Sequence, residues 1–332
     1  MRAFEISAIG DANLLTTTER PIPKPREGQL LVRNAASGIN FLDVMIRGGL
    51  WPDAPPPTFP YVPGVEGAGV VEDVGTGQTA FRNGDRVAWM GPLSGGGYAE
   101  YSLVDHAHVY ALPDGIDIAV AAGIPMNYLT AWSLLHDLAQ VKEDDFVLVH
   151  AAAGGVGLAL IQLARCAGVH TIGVASAGKL GVVLTNGATA AIDKADRAGL
   201  LAEVRRLAGN KGVRASFNPI GGETLAQDLD LLSPYGIAVA YGLLEGLPGS
   251  SLAAALFRNF GRNVGVRVSD VYRFAHGRPI EAKAAMQQIF SLAALGRISP
   301  VIQTTRPDGL VSVHRKLQAG ETNGKFIIDW QH

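Results

Sequence analysis

The sequence has almost no cysteine. Cys166 is the one thiol in 332 residues, which excludes an internal disulfide framework and any zinc site built from several cysteines. Long hydrophobic runs are missing too: no stretch reaches the roughly 18 unbroken apolar residues that a membrane-spanning helix needs. The opening, MRAFEISAIGDANLL, carries no apolar signal-peptide core. Charged residues make up 17%, and the net charge of −2 offers no patch for nucleic acid or an anionic membrane. There is no repeat, no low-complexity tract, no G-x-S-x-G and no H-E-x-x-H, so hydrolase chemistry has no visible support. These absences predict a soluble cytoplasmic protein.

What is present suggests two domains. At 48% hydrophobic, a chain of this length can bury more than one core. Its 41 glycines are clustered, as where backbone approaches a ligand closely. The first third is broken by RPIPKPREGQ, WPDAPPPTFPYVPG and GPLSGGG, with short apolar runs such as QLLVRNAAS, GAGVVEDVG and DRVAWM between them. That texture predicts an irregular, mainly antiparallel β domain. From about Ala121, strand-like runs (FVLVHA, HTIGVAS, VRASFNPI, GIAVAYG, NVGVRVS) alternate with helix-like ones (VGLALIQLARCAG, AGLLAEVRRLAG, TLAQDLDLL). The alternation predicts βαβ units on a parallel sheet covered on both faces. The end holds an amphipathic PIEAKAAMQQIFSLAALG and a last strand, GKFIIDW, expected to return to the first domain.

The stretch LVHAAAGGVGLALIQLARCAG joins a strand-length apolar run to a helical period through Gly154, Gly155, Val156 and Gly157. A strand, a tight glycine turn and a helix N-terminus present backbone N–H groups and a positive dipole end to a pyrophosphate. The spacing is not the full G-x-G-x-x-G, so the alternative is glycines that only let helix and strand pack closely. In NAD-binding sheets an acidic residue near the end of the second strand takes the ribose hydroxyl. Here residues 173–179 contain none; Ser176 and Lys179 stand there instead, suited to a 2′-phosphate. The cofactor expected from these residues is NADPH. Ser176-x-x-Lys179 also fits an acyl-enzyme pattern, and GETNGK hints at a phosphate loop, but both lack their partner motifs.

The motifs GVEGAGVVEDVGTG, FRNGDRVAW, GGGYAEY, NYLTAWSLL and HAAAGGVG, in that order over nearly the whole chain, resemble the medium-chain dehydrogenase/reductase superfamily. SGINFLDVMIRGGLWP with HAAAGGVG resembles its zinc-free quinone oxidoreductase (zeta-crystallin-like) branch. The resemblance implies an α/β fold: a GroES-like β domain (residues 1–122), a Rossmann doubly wound parallel sheet domain (residues 123–268) and a C-terminal return (residues 269–332). It also implies that zinc-dependent relatives carry a cysteine where this chain has Asn40 and a histidine where it has Val65. Glu66 alone cannot hold zinc, which needs three protein ligands, so no metal is expected. His106 and His108 in DHAHVY read as surface or packing histidines. A family homodimer is implied, with NVGVRVS as an edge strand.

Carried over residue by residue, the resemblance places Asn40 near the nicotinamide and Thr130 on its carboxamide. Asn218, Tyr241 and Leu243 fall at strand ends along the cofactor track, and Asn323 and Lys325 in the segment that closes over it. Departures are Met45, where bacterial relatives often have tyrosine, and Lys194, a second positive group near the 2′-phosphate. Asn40 is the first choice for an active-site polar contact and Tyr98 the second choice for a donor. Cys166 is expected to face the sheet and to take no part. Without a Lewis acid for an alkoxide, the expected reaction is hydride transfer to quinones or other conjugated carbonyls. An enoyl-thioester or enone reductase is the alternative within the superfamily, and an NADPH-holding redox sensor or structural protein with little turnover is the alternative of another class.

Overall fold

The computed structural model describes residues 1–50, 57–77 and 80–331. Part of the proline-rich stretch and the end of the SGINFLDVMIRGGLWP motif lie outside the described residues. The chain divides into two units: residues 1–126, 279–296 and 300–332 form one, and residues 127–278 and 297–299 the other. Both breaks fall later than the sequence suggests. The first lies inside the helix Pro125–Trp132. The second comes ten residues after 268/269, because the helix Val271–Gly277, capped by Asp270, stays with the last parallel strand.

The second unit is a six-stranded, all-parallel sheet. Across it run Ala190–Asp193, His170–Ala175, Phe146–Val149, Val213–Asn218, Leu232–Ala240 and Gly265–Val268. All but Ala190–Asp193 are runs that the βαβ alternation singles out, and the near-continuous burial of the central His170–Ala175, Phe146–Val149 and Val213–Asn218 is what helices on both faces require. The strand order reverses between Phe146–Val149 and Val213–Asn218, which is the doubly wound switch point where such sheets bind ligands. Leu148, Ile172, Val213, Leu232 and Ala238 are fully buried in its core, and Leu225 and Leu229 from the fourth crossover lie against them. Gly265–Val268 is the outer strand.

The first unit is mainly antiparallel, with the mixed sheet order Ile302–Thr305, Lys325–Asp329, Gln29–Ile39, Glu66–Val74, Arg86–Met90, Val109–Ala111, and Tyr101–Asp105 also paired to Gln29–Ile39. The last strand, Lys325–Asp329, pairs antiparallel with Gln29–Ile39 in a register that sets Phe326 opposite Ile39. The C-terminal segment therefore does return to the first unit. The helix Pro279–Ala294 belongs there too, burying Ala282, Ala285, Met286, Ile289 and Phe290, the spacing of one helical face.

Candidate functional site

In the parallel-sheet unit, the loop after Phe146–Val149 turns through Ala151 at φ 47° and enters the helix Gly155–Cys166 at Gly154, whose backbone is extended. A Cβ on Gly157 would lie 2.6 Å from the Ala151 carbonyl oxygen and 2.7 Å from Ala152 Cα. On Gly155 it would lie 2.3 Å from Asn127 Nδ2, whereas on Gly154 it would meet only the Ala151 oxygen at 3.2 Å. The two readings of the loop thus divide by residue. Gly155 and Gly157 permit close packing, while Gly154 keeps the approach to the helix N-terminus shallow. There the first-turn N–H groups of Gly155, Val156 and Gly157 have no partner within the helix, as a pyrophosphate requires.

At the ends of the neighbouring strands, Ser176 precedes the turn Ala177–Lys179. Lys194 follows Ala190–Asp193 and donates its N–H to the Ala175 carbonyl at 2.8 Å. Ser176, Lys179 and Lys194 therefore gather at the carboxyl ends of two adjacent strands, with Lys194 exposed and the other two half-buried. The nearby Asp193 carboxylate accepts from Ala195 N–H at 3.1 Å. Thr130 is buried in its helix, where its carbonyl accepts from Ser133 Oγ at 3.1 Å. Tyr241 and Leu243 are half-buried just past Leu232–Ala240.

Asn218 differs from its expected role. Its Nδ2 donates to Asp228 at 2.7 Å, and its Oδ1 accepts from Ile220 N–H at 2.8 Å and Gly221 N–H at 3.0 Å. It is fully buried, so its side chain holds the turn rather than a ligand. Asp228 also takes Ser216 Oγ at 2.6 Å and lies 2.8 Å from His150 Nε2. This buried network anchors the strand end just before the glycine loop, and no sequence motif announced it. Cys166 is corrected as well: its half-buried thiol lies 3.7 Å from the Arg297 carbonyl, toward a loop and not the sheet.

In the antiparallel unit, Asn40 stands between the strand Gln29–Ile39 and the helix Phe41–Arg47. It occupies the N-cap position of a capping box with Asp43, whose carboxylate accepts from Asn40 N–H. Its Nδ2 also donates to Glu66 Oε1 at 2.8 Å, and Oδ1 accepts from Lys325 Nζ at 2.5 Å. Lys325 also forms an ion pair with Glu66. The other carboxylate oxygen of Glu66 accepts from Met126 N–H at 2.8 Å, in the first turn of Pro125–Trp132. Asn40, Glu66 and Lys325 are buried to 6%, 0% and 4% exposure, so the two charges compensate each other inside the protein. Gly38 makes room for this, since a Cβ there would lie 2.5 Å from Glu66 Oε1. The Lys325 ammonium is thus committed within its own unit rather than reserved for a cofactor. The Asn323 carbonyl and Oδ1 both accept from Gln303 Nε2.

A second buried carboxylate sits one helical turn away. Asp43 Oδ2 accepts from Asn40 N–H at 2.8 Å and from Tyr98 Oη at 2.9 Å, and Tyr98 Oη lies 3.0 Å from His314 Nε2. Burial pushes the Asp43 carboxyl up from 3.8 to about 6, against the pull of its two hydrogen bonds. Burial, helped by the charge of Arg47, lowers His314 from 6.5 to about 3 and keeps it neutral. Tyr98 is fully buried with its hydroxyl held by Asp43, and its phenol is pushed well above 10, chiefly by burial. That removes Tyr98 as a proton donor to substrate.

Residues 26–114 match the model of the alcohol dehydrogenase GroES-like domain, and residues 155–290 that of the zinc-binding dehydrogenases. A probable quinone oxidoreductase of Schizosaccharomyces pombe is 38% identical over 73% of this chain and 71% of its own. The chain is a medium-chain dehydrogenase/reductase. It belongs to the zeta-crystallin-like quinone oxidoreductase branch. A human synaptic vesicle membrane protein VAT-1 homolog is 30% identical over 99% of this chain and 86% of its own. The crystal structure of Escherichia coli quinone oxidoreductase complexed with NADPH shares the fold at TM-score 0.90, with 29% identity over 99% of this chain and 100% of that one.

The second family model is named for zinc, but the residues of this medium-chain dehydrogenase/reductase do not fit the metal. Asn40 offers an amide and Val65 an aliphatic group, and the Glu66 carboxylate is already taken by Lys325, Asn40 and Met126 N–H. Among the described residues no group of three His, Cys, Asp or Glu side chains is placed to hold a metal ion. No helix among them is long and apolar enough to cross a membrane.

Proposed function

We propose that this medium-chain dehydrogenase/reductase reduces quinones or other conjugated carbonyls with NADPH and without zinc. The observation that carries the reading is the Asn40–Glu66–Lys325 cluster: a buried site with matched charges and an oriented amide, but no ligand set for a Lewis acid. An unconjugated ketone concentrates charge on one oxygen, which zinc would stabilise. A conjugated acceptor spreads it into an enolate or phenolate, for which a positioned N–H donor can serve.

NADPH supplies the hydride, and the acceptor takes up that hydride and one proton. The helix N-terminus at Gly154 would hold the pyrophosphate, and Ser176, Lys179 and Lys194 the 2′-phosphate. Thr130 would fix the carboxamide, and Asn40 would supply the polar contact to the acceptor. Positioning carries much of the rate, since holding two reactants in register removes translational entropy from the barrier. No covalent intermediate is involved, because the thiol of Cys166 is turned toward Arg297 and Ser216 is buried against Asp228. The protein acts in the cytoplasm as a homodimer joined through Gly265–Val268. The exposed Val268, Phe257 and Phe260 beside that edge support this pairing, and a monomer by light scattering at micromolar concentration would refute it.

The test is an acceptor screen followed by loss of reduced-nicotinamide absorbance, before and after chelation. Quinones or enones should consume NADPH equally in both. Consumption with enoyl thioesters alone would move the substrate class, and consumption that chelation abolishes would overturn zinc independence.

A further inference from the structure

Asn40 poses a problem that its place in the chain does not explain. An asparagine at a helix start ordinarily turns its side chain onto the N–H groups of the first turn. Here the first turn is closed from the other side, by Asp43 accepting Asn40 N–H. The Asn40 amide is also drawn between a buried carboxylate and a buried ammonium. Opposite charges at its two ends decide its orientation: nitrogen to Glu66, oxygen to Lys325. An amide has two N–H donors and two acceptor sites. Glu66 takes one N–H and Lys325 one lone pair, which leaves the second N–H in a fixed direction.

We propose that Lys325 and Glu66 are positioning residues, whose ion pair locks the Asn40 amide in the one orientation that presents its second N–H to the acceptor. The inference rests on the role given to Asn40 in the proposed reaction. Three segments meet to make the lock: the end of Gln29–Ile39, the start of Glu66–Val74 and the start of Lys325–Asp329. The antiparallel register that sets Phe326 opposite Ile39 brings Lys325 beside Asn40. Glu66 cannot shift to compensate, because its second oxygen holds Met126 N–H. Asp43 and Tyr98 are the other titratable groups felt at this cluster; Asp43 interacts with both Lys325 and Glu66, and Tyr98 with Glu66.

The test separates orientation from stability. Lys325→Met leaves Glu66 buried without its cation, and breaking such a pair is strongly destabilising. Its melting temperature should fall by roughly 6–10 °C, with kcat for a quinone at least about tenfold lower. Adding Glu66→Gln removes the stranded charge, and neutral replacements of buried pairs are often well tolerated. The amide introduced by Glu66→Gln must keep its oxygen on Met126 N–H, so its NH2 faces Asn40 and draws the Asn40 oxygen. The double variant should therefore recover its melting temperature while Asn40 sits reversed and kcat stays low. NADPH affinity should remain within about threefold in both, since the nucleotide cradle is built by other residues. If the single variant fails to fold, the double variant alone carries the test.

Recovery of kcat together with stability in the double variant would overturn the proposal, as would native kcat in Lys325→Met. A native protein that leaves NADPH unoxidised with every quinone and enone offered would instead overturn the proposed reaction. The melting-temperature cycle then decides: additive effects of the two substitutions would overturn the lock as well.

Discussion

The two units hold their functional groups by different physical means. In the parallel-sheet unit the proposed nucleotide cradle is made of backbone: a helix N-terminus, a glycine turn and the ends of adjacent strands, all set by residues close in sequence. In the antiparallel unit the site is made of side-chain charge, with Asn40, Glu66 and Lys325 drawn from distant segments and balanced against one another. A backbone-made site should tolerate changes of charge but not an added Cβ. A charge-made site should tolerate changes of volume but not the loss of one member.

The harshest way to break that comparison is Gly157→Val. Its new atoms would collide with the backbone of Ala151 and Ala152, at the upper end of overpacking costs, about 3 kcal/mol. NADPH affinity by fluorescence titration should drop roughly a hundredfold. Gly181→Ala, at a helical glycine with open space around it, should bind as the native protein does. Native affinity in Gly157→Val would mean that the cradle does not depend on close backbone approach.

Asp43 sharpens the other side, because it is a buried carboxylate outside the ion pair. Its folded value of about 6 lies above the unfolded 3.8, so the folded state retains a proton that the unfolded state has released between those values. The stabilisation is present below pH 3.8 and lost as pH rises through 6, amounting to about 3 kcal/mol at most. Asp43→Asn cannot titrate, so its melting temperature relative to native should climb between pH 4 and pH 7. Comparing the two proteins at each pH cancels His314, whose stabilisation runs the other way, present above 6.5 and lost as pH falls toward 3. A difference that does not vary with pH would show that Asp43 is ionised as easily as an exposed carboxylate.

Lys179→Ala tests one of the two lysines that bring charge into the backbone-made site. A charge-assisted contact to phosphate contributes roughly 1.5–3 kcal/mol, or about ten- to a hundredfold in affinity. NADPH should weaken by that factor and NADH hardly at all. Equal affinity of the native protein for the two cofactors would remove the 2′-phosphate from the account. The smallest effect should come from Cys166→Ser, half-buried against Arg297, which should leave quinone turnover at its native rate.

What was legible in the sequence follows the same division. Five of the six parallel strands and the glycine turn are local patterns of period and spacing, and the chain places them where the pattern says; the short Ala190–Asp193 is not among them. Asn40, Glu66 and Lys325 were each visible as residues, but not as a trio, because Lys325 lies 285 positions from Asn40 and only strand register joins them. Asn218 and Tyr98 misled for a physical reason: each is a polar residue at a strand end or core edge whose hydrogen-bonding capacity the protein uses up internally. The asparagine and aspartate at positions 40 and 43 do mark a helix start. Nothing local reveals that a buried ion pair also holds the Asn40 amide.

The account stands most directly on Asn40, and one pair of measurements reaches it. Steady-state turnover of Asn40→Ala with a quinone that the native protein reduces should fall about a hundred- to a thousandfold, the usual loss on removing one well-placed donor. NADPH binding measured on the same preparation should change little. Full turnover in Asn40→Ala would contradict the account.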